Sequence, residues 1–119
     1  MIYLASPYSH PDPAVRRQRL EAVCRAAARM LRDGQFVFSP IAHSVAIAEH
    51  GGAPDSWAFW RPVDLVMLGR CNELVVLKLD GWETSEGVQA EVARARLLGL
   101  PVSYLEPGDT AVRPTSWPA

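Results

Sequence analysis

The sequence predicts an open α/β fold, a mostly parallel sheet of four to five strands with helices on both faces. Three observations carry that expectation. Short β-branched runs alternate with helical apolar periodicity along the chain, the run ELVVLKL from Glu73 to Leu79 is almost continuously apolar, and the 119 residues suit one domain with a single core. A continuous apolar strand is the mark of a central parallel strand, because helices cover both of its faces.

IYLAS, Ile2 to Ser6, is the first predicted strand; it stops at Pro7 and gives way to the loop SPYSHPDP. From Pro13 the pattern turns helical, with Leu20, Val23, Cys24, Ala27, Met30 and Leu31 recurring at spacings of three and four. Asp12 is positioned to cap this helix, Pro13 suits its first turn, and Gly34 closes it. QFVFS, Gln35 to Ser39, is the second strand. The connection PIAHSVAIAEHGGAPDSWAFW follows, long enough to hold a short helix from His43 to Glu49, and long connections in small domains tend to carry function. Pro62 is expected to open the next helix, through Val63, Leu65, Val66, Leu68 and Gly69, ahead of the ELVVLKL strand.

TSEGVQAEVARARLLGLPV, Thr84 to Val102, is a helix closed by Gly99 with the last strand, PVSYLE, beginning behind it. Val88, Val92 and Ala95 form its apolar stripe, and Glu91 stands at the edge of that stripe. Such a carboxylate either turns out to solvent or looks into a cleft. The segment 107–119, PGDTAVRPTSWPA, is a Pro-rich tail without periodicity, either frayed or laid across a neighbour, so the domain is expected to span residues 1–106.

Composition narrows the function classes. A net charge of −1 argues against a basic surface for a nucleic-acid polymer, and the arginines between Arg16 and Arg32 suit a solvated helix face. No apolar stretch approaches the ~18 residues that span a bilayer, and MIYLASPY lacks a basic signal-peptide start. A cytoplasmic protein is expected. Cys24 and Cys71 fall within apolar helical patterns and are both expected to be buried thiols. His10, His43 and His50 show no metal-ligand spacing, so neither a metal nor a cofactor is expected.

In open α/β sheets the ligand crevice lies beyond the carboxyl ends of the strands, where strand order reverses. The SPYSH loop, the long connection and the DGWETSEG loop converge there. Ser85 and Gly87 open a helix, where free N–H groups can hold an anion, although the same residues suit an ordinary N-cap. Glu91 lies one turn deeper. Asp64, placed in a first turn after Pro62, is favoured there by the helix dipole alone, and Tyr3 is equally at home as a core aromatic. There is no GxGxxG and no Walker sequence.

Taken together, IYLASPY, WRPVDLVMLGRCNELVVL and SEGVQAEVARARLLGLPV resemble the nucleoside 2-deoxyribosyltransferase superfamily, which includes the 2′-deoxynucleoside 5′-phosphate N-hydrolases. The similarity spans about residues 2 to 105 and is greatest to a small, uncharacterised bacterial branch. It implies a flavodoxin-like or Rossmann-like sheet and an enzyme that cleaves or exchanges the N-glycosidic bond of a nucleoside or nucleotide. By that resemblance the pattern Ser-x-Gly-x-x-x-Glu is matched by Ser85, Gly87 and Glu91, with Glu91 as nucleophile, Tyr3 as the phenol that orients it, and Asp64 assisting departure of the base. Ser6, Tyr8, His43, Trp60, Ser85 and Gly87 are the substrate-binding candidates. Trp57, Phe59 and Trp60 either stack on a base or pack across an oligomer interface.

The chain departs from the pattern in its first loop, where phosphate-reading relatives carry a glycine and an arginine and this sequence has Ser6, Pro7, Tyr8, Ser9 and His10. His10 and Arg16 are candidate substitutes. Asn72 replaces an aspartate common before the third strand, a change expected to affect loop geometry. The resemblance also implies a homodimer or homotetramer in which a neighbour closes the site, with the tail ending SWPA as the candidate for reaching across. A catalytically silent module that binds a nucleotide-like ligand or a protein on the same fold is the alternative reading.

Overall fold

Ile2–Ala5 (β1), Val37–Phe38 (β2), Glu73–Leu77 (β3) and Val102–Leu105 (β4) pair into one parallel sheet in the order β2-β1-β3-β4 in the computed structural model, which describes residues 1–108. Tyr3 stands opposite Phe38 on one side and Leu74 on the other. The helices are Pro13–Arg32 (α1), Pro40–Gly51 (α2), Trp57–Gly69 (α3) and Glu86–Leu97 (α4), with a single 3-10 turn over Trp82–Thr84. Strand order reverses between β1 and β3, so their carboxyl ends part there and leave a crevice.

Period-two alternation divides the core into two layers. Ile2 and Leu4 of β1, with Val75 and Leu77 of β3, face α1 and pack on Val23, Ala26 and Met30. Tyr3 and Ala5, with Leu74 and Val76, face the other way and pack on Leu68 of α3 and on Val88, Val92 and Ala95 of α4. Tyr3 therefore belongs to the same layer as the helix that carries Glu91.

Several boundaries move from their sequence expectation, each for a local reason. The second strand is two residues long, because Ser39 leaves the ladder to cap α2, accepting from the Ala42 N–H at 3.1 Å, and Pro40 sits in the first helical turn. The long connection is thus mostly helix. Helix α3 begins at Trp57 and not at Pro62: the Ser56 hydroxyl accepts from the Phe59 N–H, and Pro62 lies inside the helix on its exposed side. The three aromatics expected in a loop are therefore helical. Asp64 accordingly stands two turns inside α3, where the helix N-terminus contributes little, and not in a first turn.

One further expectation is corrected on α1, where the buried stripe is Val23, Ala26 and Met30. Cys24 lies next to that stripe and is exposed; only Cys71 is a buried thiol. Asn72 ties the turn before β3 to the first residue: its side-chain oxygen accepts from the Met1 ammonium at 2.6 Å, and its N–H donates to the Met1 carbonyl at 2.8 Å. The tail expected to fray or to cross to a neighbour lies, from residue 109 on, outside the described residues. Among those described, no helix is long and apolar enough to cross a membrane.

Candidate active site

Helix α4 starts where Ser85 takes an extended backbone and its hydroxyl accepts from the Val88 N–H at 3.2 Å. From that start Val88, Glu91, Val92 and Ala95 fall on the buried face. Glu91 is only 3% exposed, which answers whether it turns outward. It projects toward the carboxyl end of β1, where the Tyr3 hydroxyl donates a short hydrogen bond to its Oε2. On α3, Trp60, Asp64 and Leu68 repeat every four residues and form that helix's buried stripe. This brings Asp64, 4% exposed, to the same place.

A cavity of about 310 Å³ opens over these groups at the strand ends. Glu91 and Asp64 form part of its floor; Ser6 and Tyr8 come from the β1–α1 loop, Ser85 and Gly87 from the start of α4, and Trp57 and Trp60 from α3. Tyr3 lies behind the floor, fully buried, and reaches the cavity only through Glu91. The Trp60 indole N–H donates to the Pro54 carbonyl at 2.7 Å, which fixes the plane of the ring. Gly87 lets the Trp57 indole come close, since a Cβ there would sit 3.4 Å from its Cε3. Two buried polar atoms beside the cavity, Ser6 Oγ and Asp64 Oδ1, have no hydrogen-bond partner.

His43 is not part of this lining. Its exposed ring lies 5.5 Å from Phe38 and 6.2 Å from Trp60, while the next two residues of α2, Ser44 and Val45, turn to the cavity. Phe59 is likewise exposed on the far side of α3. Arg19 is one of several lining residues, with Ser44, Asp55 and Gly81 among the others, that the sequence does not single out; there it is one more member of a solvated arginine face. Nothing in the spacing of that run singles it out, because its role depends on a loop more than sixty residues away. His10 also lines the cavity, while Arg16 donates to the His10 carbonyl.

The electrostatics of the three central groups follow from burial. Burial lifts the Glu91 carboxyl from its ordinary range to about 8, the Tyr3 hydrogen bond opposing that rise and the charge of Asp64 adding to it. Asp64 rises to about 6 by burial. The Tyr3 phenol, buried and facing both carboxylates, is pushed far above its usual range and keeps its proton. It can therefore only donate, and its donation favours the ionised form of Glu91. Between about pH 6 and 8 the two carboxyls hold one proton between them. Among the described residues no group of three or more His, Cys, Asp or Glu is arranged to hold a metal ion.

Residues 1–106 match the model of a domain of unknown function, DUF1937. The fold also matches a solved structure of a 2-deoxyribosyltransferase from the psychrotolerant bacterium Bacillus psychrosaccharolyticus, with a TM-score of 0.64 and 25% identity, over 94% of this chain and 76% of that one. No curated protein sequence matches.

Proposed function

The chain belongs to the DUF1937 family, and we propose that its members of this form cleave or exchange the N-glycosidic bond of a nucleoside or nucleotide, with Glu91 as nucleophile. The observation that carries this reading is the Tyr3–Glu91 hydrogen bond at the floor of an open cavity. A buried glutamate held by a phenol that cannot ionise is an oriented carboxyl group whose ionised form the phenol favours. The described activity of the structural neighbour, transfer of a 2-deoxyribosyl group, supports the same reading.

The chemistry follows from the charges. In the first step an oxygen of Glu91 forms a bond to the anomeric carbon as the bond from that carbon to the base nitrogen breaks, and the electron pair leaves with the base. The transition state carries positive charge on the sugar, which a carboxylate beside it stabilises. At rest the higher value places the shared proton on Glu91; for attack that proton passes to Asp64, leaving Glu91 as the carboxylate that the Tyr3 hydrogen bond favours, and Asp64 delivers it to the departing base. In the second step water or a second base attacks the same carbon and gives its proton to the Asp64 carboxylate, while the bond from the carbon to Glu91 breaks and releases it as a carboxylate. Trp57 and Trp60 offer flat apolar surface to the base, and Ser6 offers a hydroxyl to the sugar side.

Incubating the protein with a panel of 2′-deoxynucleosides, ribonucleosides and their 5′-monophosphates, with and without a second free base, tests the reading. Wild type should release or exchange base, followed by chromatography, and Glu91→Ala should do neither. A protein whose melting temperature rises with these compounds while they are returned unchanged would instead be a binding module.

A further inference from the structure

Arg19 projects from α1 to a point where two loops meet. Its Nη1 donates to the Ser9 carbonyl at 2.8 Å and, more weakly, to the Tyr8 carbonyl at 3.4 Å, both in the β1–α1 loop. Its Nη2 donates to the Asp80 carbonyl at 2.8 Å, in the β3–α4 loop. Among the described residues no carboxylate lies within ion-pair distance of it, so its donors are directed at backbone oxygens. The approach requires Gly81: a Cβ at that residue would stand 2.6 Å from Nη2, and the backbone there has a φ of 91°. Both loops feed the cavity. The first carries Ser6 and Tyr8, the second leads into Thr84, Ser85 and Gly87, and Arg19 and Gly81 line the cavity between them.

We propose that Arg19 is a positioning residue: one guanidinium fastens the two loops across the mouth of the cavity and sets the distance between their substrate-facing groups. The planar fork is what the task requires, since its two terminal nitrogens reach acceptors on opposite sides. A lysine carries its donors on a single nitrogen and reaches one loop or the other. The carboxyls that act on the bond sit on helices, as Tyr3 sits on a strand, so loosening the loops weakens binding of substrate and leaves the floor of the site in place. That consequence for turnover rests on the glycosidic reading above; the coupling of the loops does not.

The test is the backbone amide order parameter from nitrogen-15 relaxation on wild type, Arg19→Met, Arg19→Lys, Gly81→Ala and the Arg19→Met/Gly81→Ala pair. Arg19→Met and Arg19→Lys should each lower it at Tyr8, Ser9 and His10 and in 80–85, from a rigid value of about 0.85 toward about 0.6, with β3 unchanged. Gly81→Ala, made in one loop, should loosen Tyr8, Ser9 and His10 in the other by displacing the guanidinium, and should add nothing there once Arg19 is already methionine. Unchanged order parameters at Tyr8 to His10 in Arg19→Met, or additive effects of the two substitutions on those amides, overturn the proposal. Where wild type turns over a substrate, Arg19→Met should raise KM about tenfold with kcat within about threefold, and the reverse split also overturns it. Absence of turnover in wild type removes the glycosidic reading and leaves the relaxation result to decide the coupling.

Discussion

Replacing Tyr3 by phenylalanine isolates the interaction on which the proposed chemistry depends. The ring is fully buried and packs 5.9 Å from Phe38, so the substitution keeps the packing and removes one hydroxyl. What is lost is the hydrogen bond to Glu91 Oε2, a bond to an ionised group in a buried site, worth about 1.5–3 kcal/mol. Because that bond favours the carboxylate form, its removal raises the Glu91 pKa from about 8 by about one to two units, at 1.36 kcal/mol per unit. The assay is an NMR titration of the glutamate side-chain carboxyl carbons, which reports the ionisation whether or not a substrate is known. Glu91→Gln identifies the resonance. In a turnover assay the same change costs about ten- to a hundredfold in rate at pH 7, because a smaller share of the singly protonated pair carries its charge on Glu91. A midpoint in Tyr3→Phe equal to wild type, or lower, would show that the phenol does not hold the charge on Glu91 and would refute the argument.

Other outcomes follow from the same geometry. Glu91 holds a proton in the folded protein up to about 8 against an ordinary value of 4.5, so its contribution to stability is fully present below about 4.5 and is lost as pH rises through 8; Glu91→Gln should flatten this decline in thermal melts, by a few kcal/mol in all. A decline of equal size in the variant would count against it. Ser85→Ala removes the α4 cap and should lower Tm by about 4 °C, measured by circular dichroism. Gly87→Val should displace the Trp57 indole and abolish the rise in Tm caused by a bound nucleoside, whereas Gly87→Ala, with its Cβ 3.4 Å from the ring, should keep most of that rise. Equal behaviour of the two variants would remove Trp57 from the binding surface.

The layers of this fold were legible because periodicity is a local signal. Alternation in IYLA and ELVVL and the stripe Val88, Val92, Ala95 each fix a face without reference to the rest of the chain. Glu91 and Asp64 were found by their position in a family-like pattern, and periodicity left the direction of Glu91 open until the fold placed Tyr3 across from it. Competing local signals caused the misplaced boundary at α3: Pro62 resembles a helix start, but Ser56 supplies the cap and the exposed face tolerates the proline. His43 falls inside the short helix expected from His43 to Glu49, whose sequence does not fix which side faces the crevice; in the fold Ser44 and Val45 take that side instead. Arg19 was illegible for a different reason. Its acceptors are backbone carbonyls, which every residue possesses, so no side-chain pattern announces them.

Tyr3 and Glu91 are separated by 88 positions, one in the first strand and the other in the last helix among the described residues. During synthesis the phenol emerges early and stays without its acceptor until almost the whole domain has left the ribosome. Shortened chains ending before α4 inherit most of the sheet and none of the paired donor and carboxylate. The hydrogen-bonded pair at this floor is thus assembled only on completion of folding, and so is any reaction that depends on it.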